Sequence, residues 1–139
     1  MATVIMQKFK DSLAAGTVNF NTTNYYIALV SDSINYVSNL NLVNNWSSVS
    51  SNEVVGTNYT AGGKLLTGVG WYRDDVSNRV RISASPVSWD NSTITAKGAV
   101  IRVSGTNDNV MFYDFGSNQT TSNASFVLSF SSTGLAYLS

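Results

Sequence analysis

The chain carries eight acidic and eight basic side chains, no histidine and no cysteine. Any chemistry must therefore come from carboxylates, lysines, hydroxyls or the backbone, because thiolates, imidazole bases and the usual zinc ligands are excluded at once. Glu53 is the sole glutamate. Paired in space with Asp90 or Asp114 it would supply the two carboxylates of a glycoside hydrolase, yet nothing in the spacing sets two of them across a cleft. The stretch TNYTAGGK, residues 57–64, looks like a phosphate loop. A Walker loop needs Gly where Asn58 stands and Ser or Thr where Leu65 stands, so the motif fails. Gly62 and Gly63 instead predict a tight turn leading into a strand, with the positive φ that glycine adopts without cost. Asp74 and Asp75 with Asn78 would offer hard oxygen ligands to calcium, but the twelve-residue loop pattern is missing and a solvated hairpin turn is expected. No serine has a histidine or a Ser-x-x-Lys partner. The expectation is a protein without enzymatic activity, cofactor or metal.

One stretch sits between chemistry and architecture: WDNSTITAKGAVI, residues 89–101. Ile94 and Ala96 share one face of a strand, while Ile101 and Val103 have the opposite parity. The phase change predicts a β-bulge at Gly98, with Lys97 presented to a partner and Trp89 packed as core over the start of the strand.

The elements that must position these residues are mostly strands. Ile5, Phe9 and Leu13 lie on one helical stripe, with Gly16 at a C-terminal cap position, which predicts one short N-terminal helix. NYYIALVS reads as a buried strand. Residues 31–56 read as an irregular Asn/Ser-rich excursion holding about one helical turn, with Leu40, Val43 and Trp46 at helical spacing. From Lys64 the period becomes two: Leu65, Thr67, Val69 and Trp71 share a face, DDVSN turns, and Val80, Ile82 and Ala84 alternate. Further strands are expected at 93–103, 110–115, 124–130 and 135–138, and Pro86 marks a strand edge. About seven strands and one helix give an all-β domain, an antiparallel sandwich or partly closed barrel, spanning 1–139 without a linker.

Balanced charge, with a pI near 6.0, removes the field that would gather nucleic acid or anionic lipid. Nowhere do eighteen apolar residues run together, and MATVIMQKFKD lacks the pattern of a secretory leader, so a soluble chain made in a cytoplasm is expected. Ser, Thr and Asn are abundant, which gives a neutral polar surface and disfavours helix. The same abundance accounts for six Asn-X-Ser/Thr triplets, beginning at Asn21, Asn45, Asn58, Asn91, Asn118 and Asn123.

Several motifs then fall in a familiar order. Lys8-x-x-Asp11-x-Leu13-x-x-Gly16, Tyr25 to Val30, Tyr59-Thr60-Ala61-Gly62-Gly63-Lys64-x-Leu66, Val87-x-Trp89, Thr93 to Ile101, Asp114-Phe115-Gly116, and Phe126 before Gly134 together resemble a family of tailed-bacteriophage virion structural proteins. The resemblance spans almost the whole chain and is most specific from Trp89 to Ile101, where the family usually has Arg in place of Lys97. It departs in residues 31–56. The resemblance implies a head decoration, or cement, protein on the capsid surface of the virion, bound to the major capsid protein as a homotrimer, with no nucleic-acid or membrane partner. Tyr36, Val37, Trp46 and Lys97 are then the candidate partner-interface residues, and Gly62, Gly63, Trp89 and Gly98 the structural ones. Two other readings stay open: a tail adaptor or fibre-base subunit, and a carbohydrate-recognition module using Tyr or Trp faces with Asn amides.

Overall fold

The computed structural model describes residues 2–18, 23–31, 45–130 and 136–138. Among them run β1 (Ala2–Ile5), α1 (Gln7–Ala15), β2 (Tyr25–Val30), α2 (Trp46–Val49), β3 (Lys64–Leu65), β4 (Gly70–Asp74), β5 (Arg79–Ser83), β6 (Val87–Ser92), β7 (Thr95–Val103), β8 (Asn109–Thr120), β9 (Ala124–Leu128) and β10 (Ala136–Leu138). These strands form sheets of order β1-β8-β7-β2-β3, β10-β5-β4 and β6-β9, and each pairing is antiparallel. The protein is all-β with a short N-terminal helix, as the periodicity predicts, in a sandwich-like arrangement of small sheets.

The central strands explain the phase change near Gly98. β2 is buried without interruption from Ile27 to Val30, and β7 from Gly98 to Ile101. A strand covered on both faces loses its alternation, so parity there carries no bulge signal. The β7–β8 register does shift beside Gly98, between Ala96 and Gly98, but Gly98 itself pairs with Asp114 and the extra residues are not on β7. Its partner carries the irregularity. Ala96 pairs with Gln119 and Gly98 with Asp114, so Lys97 alone faces Phe115 to Asn118 on β8. Gly116, at φ 84, turns that bulge, and its N–H donates to Asp114 Oδ1 at 2.9 Å. β8 has a second irregularity at Val110, unopposed between the pairs Ile101–Met111 and Arg102–Asn109, and a third lies in β6, where Asp90 and Asn91 oppose only Ser125. Asn91 there takes φ 50, a left-handed position that Asn tolerates better than most residues.

The N-terminus differs from expectation in one residue that fits two patterns. Ile5 belongs to β1, paired with Met111, and α1 begins two residues later. Phe9 remains the anchor of the helix: it is buried, and its ring meets Tyr25 edge-on at 6.4 Å. Gly16 caps the helix at φ 75, its N–H bonded to Leu13 O while Thr17 N–H reaches Ser12 O.

The run from Leu65 to Trp71 is likewise two elements rather than one. Gly68, at φ 63, breaks it, so β3 joins the large sheet beside β2 and β4 pairs with β5 elsewhere. The buried leucine is Leu66, whose N–H bonds Tyr25 O at 2.8 Å, while Leu65 is 46% exposed. Pro86 stands just ahead of β6, where no ladder N–H is needed. Of the irregular excursion the described part contains α2 and the 3-10 turn Ser50–Asn52; Leu40 and Val43 lie outside the described residues.

Candidate functional site

β2 is the strand whose outer edge must be closed for the core to stay dry, and its closure recruits the residues most suited to chemistry. β3 pairs only with Tyr26 and Ile27, and Val54 N–H reaches Leu29 O at 3.0 Å. Between them Leu29 N–H would point at nothing in the sheet. The Tyr59 hydroxyl accepts it at 2.9 Å and donates its own proton to Glu53 Oε1 at 2.7 Å. The same Glu53 oxygen accepts the Gly62 N–H at 2.7 Å. Burial, and then the hydrogen bond to Glu53, push the Tyr59 phenol far above its ordinary range. The sole glutamate is thus a clasp on a loop and a tyrosine.

The loop it holds has the turn the glycines predict. Gly63 N–H bonds Thr60 O at 3.0 Å, with Gly62 at φ 93 in the third place of a type II turn. Gly63, at φ 84, passes so close to β2 that a Cβ would lie 2.0 Å from Ile27 O. Arg102 ties the loop from the other side by donating to Gly62 O at 3.1 Å.

Arg102 also places Trp46. Its guanidinium lies 5.0 Å from the Trp46 ring centroid and 5.2 Å from that of Tyr26. Trp46 N–H donates to Asn107 O, and Asn107 Oδ1 accepts from Ser47 N–H, both at 2.8 Å. Trp46 is half-buried and packs inward over a cation, so the ring proposed for partner contact is largely used within the domain. Lys97 is half-buried opposite the β8 bulge rather than displayed by a bulge of its own. Tyr36 and Val37 lie outside the described residues.

The aspartates are equally committed. Asp74 Oδ2 accepts from Arg81 Nε at 2.9 Å and Nη2 at 2.7 Å, with Arg79 Nε at 3.7 Å, and Oδ1 caps the hairpin turn through Ser77 N–H at 3.2 Å. The Ser77 backbone bond first, and the arginine after it, hold its carboxyl below the usual range. Among the described residues no group of three or more acidic side chains is placed together for a metal. Asp90 Oδ1 pins the β6 bulge by accepting from Ser88 Oγ at 2.5 Å and Ser125 Oγ at 2.9 Å.

The Ser88 bond, followed by that of Ser125, lowers the Asp90 pKa from its ordinary 3.8. A depressed carboxylate contributes stability that is fully present above the ordinary value and disappears as pH falls through the folded one. Asp90→Asn should therefore lower the melting temperature at pH 7, and the gap between variant and wild type should close in thermal scans run below about pH 3.8. A gap that stays constant with pH would remove the carboxylate from the bulge.

Trp89 is the ring expected in the core. It is 1% exposed, stacked on Tyr59 at 5.9 Å and edge-on to Phe126 at 6.2 Å, with Lys64 Nζ 5.8 Å from its centroid. Lys64 is held there by its bond to Ser88 O.

A cleft of about 320 Å³ opens beside this cluster, lined among others by Phe115, Gln119, Thr121, Ser125, Phe126 and Leu128. Its polar groups already face protein partners: Thr121 Oγ1 meets Ser92 Oγ at 3.0 Å, Ser125 serves Asp90, and Gln119 Nε2 donates to Ser117 O at 3.3 Å.

The exposed aromatic surface lies on an outer strand. Trp71 is 50% exposed and Tyr72 43%, both on β4, and Val76 at the tip of the same hairpin is 99% exposed. Parity put Trp71 on one face with Leu65, Thr67 and Val69. In β4 it stands opposite fully buried Ile82, but β4 is an outer strand, which periodicity does not reveal. Comparison with protein-family models, with curated proteins and with solved structures gives no match.

Proposed function

We propose that this chain is a structural protein of a tailed-bacteriophage virion, a decoration protein that binds the major capsid protein on the assembled head, there as a homotrimer, and tightens contacts between shell subunits. Its motifs resemble that family over almost the whole length, and its neutral β-domain suits a repeated shell. One observation carries the reading furthest. Glu53, Asp74 and Asp90, the carboxylates best suited to chemistry or metal, all spend oxygens on holding loops and bulges in place. What faces outward instead is largely a hydroxyl and amide coat. Such a surface grips by many modest contacts, and repetition over a shell multiplies them.

Mass spectrometry of purified particles should find the chain in fixed proportion to the major capsid protein. Heads assembled without it should take it up and withstand a higher temperature before they open. Electron microscopy that places the chain in the tail, or particles that lack it, would overturn the proposal.

A further inference from the structure

β4 is the outer strand of its sheet, and among the described residues no strand pairs with its second edge. Open edges are ordinarily guarded by Lys, Pro or a bulge, because their unpaired N–H and C=O groups invite another strand. β4 has no proline, no lysine and an unbroken five-residue register against β5. It displays Trp71, Tyr72 and Arg73, the last with its side chain 76% exposed. These three residue types dominate the energetic centres of protein interfaces.

We propose that two copies of this chain pair through β4, edge to edge and antiparallel, about a two-fold axis at Tyr72. The strand runs from Gly70 to Asp74, so an axis at its midpoint overlaps it completely. Residues directly opposite in an antiparallel pair share a face, with Cβ atoms about 5 Å apart. In this register Trp71 stands opposite Arg73 of the partner subunit, and symmetry repeats the contact, giving two cation–π pairs with Tyr72 beside its own copy on the axis. Charge rejects one of the two neighbouring registers. An axis at Arg73 would set the two guanidiniums against each other and Trp71 against Asp75 of the partner subunit. Arg73 is available for the contact, since its present pairing with Asp75 at 3.0 Å is largely solvated and holds it weakly. Trp71 also gains, because its exposed half overhangs the end of the core beside buried Ile82. The result is one continuous sheet, β10-β5-β4 followed by its symmetry mate.

This contact does not depend on the head-binding role. A homotrimer would close through other surfaces, so the masses to expect are even multiples, dimer or hexamer.

Light scattering on the full chain from about 1 to about 100 µM should show concentration-dependent dimer or hexamer. Arg73→Glu and Trp71→Lys should each weaken the assembly at least tenfold, by loss of the cation–π pair and by like charge respectively. The double variant W71K/R73E should recover it, because opposite charges then face each other across the axis. Circular dichroism checks that each variant is folded. A second readout uses the absence of native cysteine. Tyr72→Cys, on the axis, should oxidise to a disulfide-linked dimer much faster than Val76→Cys at the exposed tip. A monomer at every concentration, a trimer alone, association indifferent to Arg73→Glu, no recovery in the double variant, or equal cross-linking of the two cysteines would each overturn the proposal.

Discussion

Trp89→Ala is expected to lower the free energy of unfolding by about 3–5 kcal/mol, measured as a shift of the urea midpoint at unchanged slope. The ring joins two sheets: it stacks on Tyr59, which closes the edge of β2, and meets Phe126 of β9 edge-on. Removing it leaves a cavity between elements that cannot both move in. Phe126 is tied to β6 by the ladder, and Tyr59 by its bonds to Leu29 and Glu53. Trp89→Phe supplies the control. The indole Nε1 is buried without a hydrogen-bond partner, so phenylalanine keeps much of the packing and sheds an unsatisfied donor. Its cost should be well under half that of alanine. A loss below 1 kcal/mol for Trp89→Ala would contradict the burial of the ring.

Gly98→Val should cost about 3 kcal/mol, the upper end of what overpacking a core does. The reason is close approach and not backbone conformation. A Cβ at Gly98 would lie 2.6 Å from Tyr113 O and 3.0 Å from Phe112 Cζ. The carbonyl belongs to β8 in the middle of the large sheet and cannot retreat without breaking its ladder to β7 or β1. Gly98→Ala should already destabilise, and valine more, because its methyl groups press further into Phe112. Thermal melts of the two variants give the ordering, and alanine at no cost would refute the steric account.

The residues that served as local signals were read correctly where the physics is local. Gly16 caps a helix, Gly62 and Gly63 turn at positive φ, and Pro86 precedes a strand, because each depends on dihedral freedom or a missing N–H at its own position. Where both strand faces are buried, the same logic misled. The parity change predicts a bulge at Gly98; the register does shift beside it, but the extra residues lie on β8 across from Lys97, and further shifts fall at Asp90–Asn91 and at Val110, opposite the step from Ile101 to Arg102. The candidate site fared similarly. Trp89 was legible as core, but Trp46 is turned over Arg102 and the aromatic pair on β4 was missed.

By itself the sequence determined an all-β domain with neutral surfaces and turns at its glycines, since period-two hydrophobicity, Ser/Thr/Asn content and glycine placement act through the backbone of a few neighbours. Its abundance of Asn foreshadowed several of the turns too: Asn58, Asn78, Asn91 and Asn123 all adopt positive φ. Only the tertiary structure decided that Glu53 clasps a tyrosine and a loop, that Asp90 pins a bulge, and that β4 ends a sheet with Trp71 and Tyr72 in solvent. Those outcomes depend on which strand lies beside which across long stretches of chain, and an edge differs from a centre only by the neighbour it lacks.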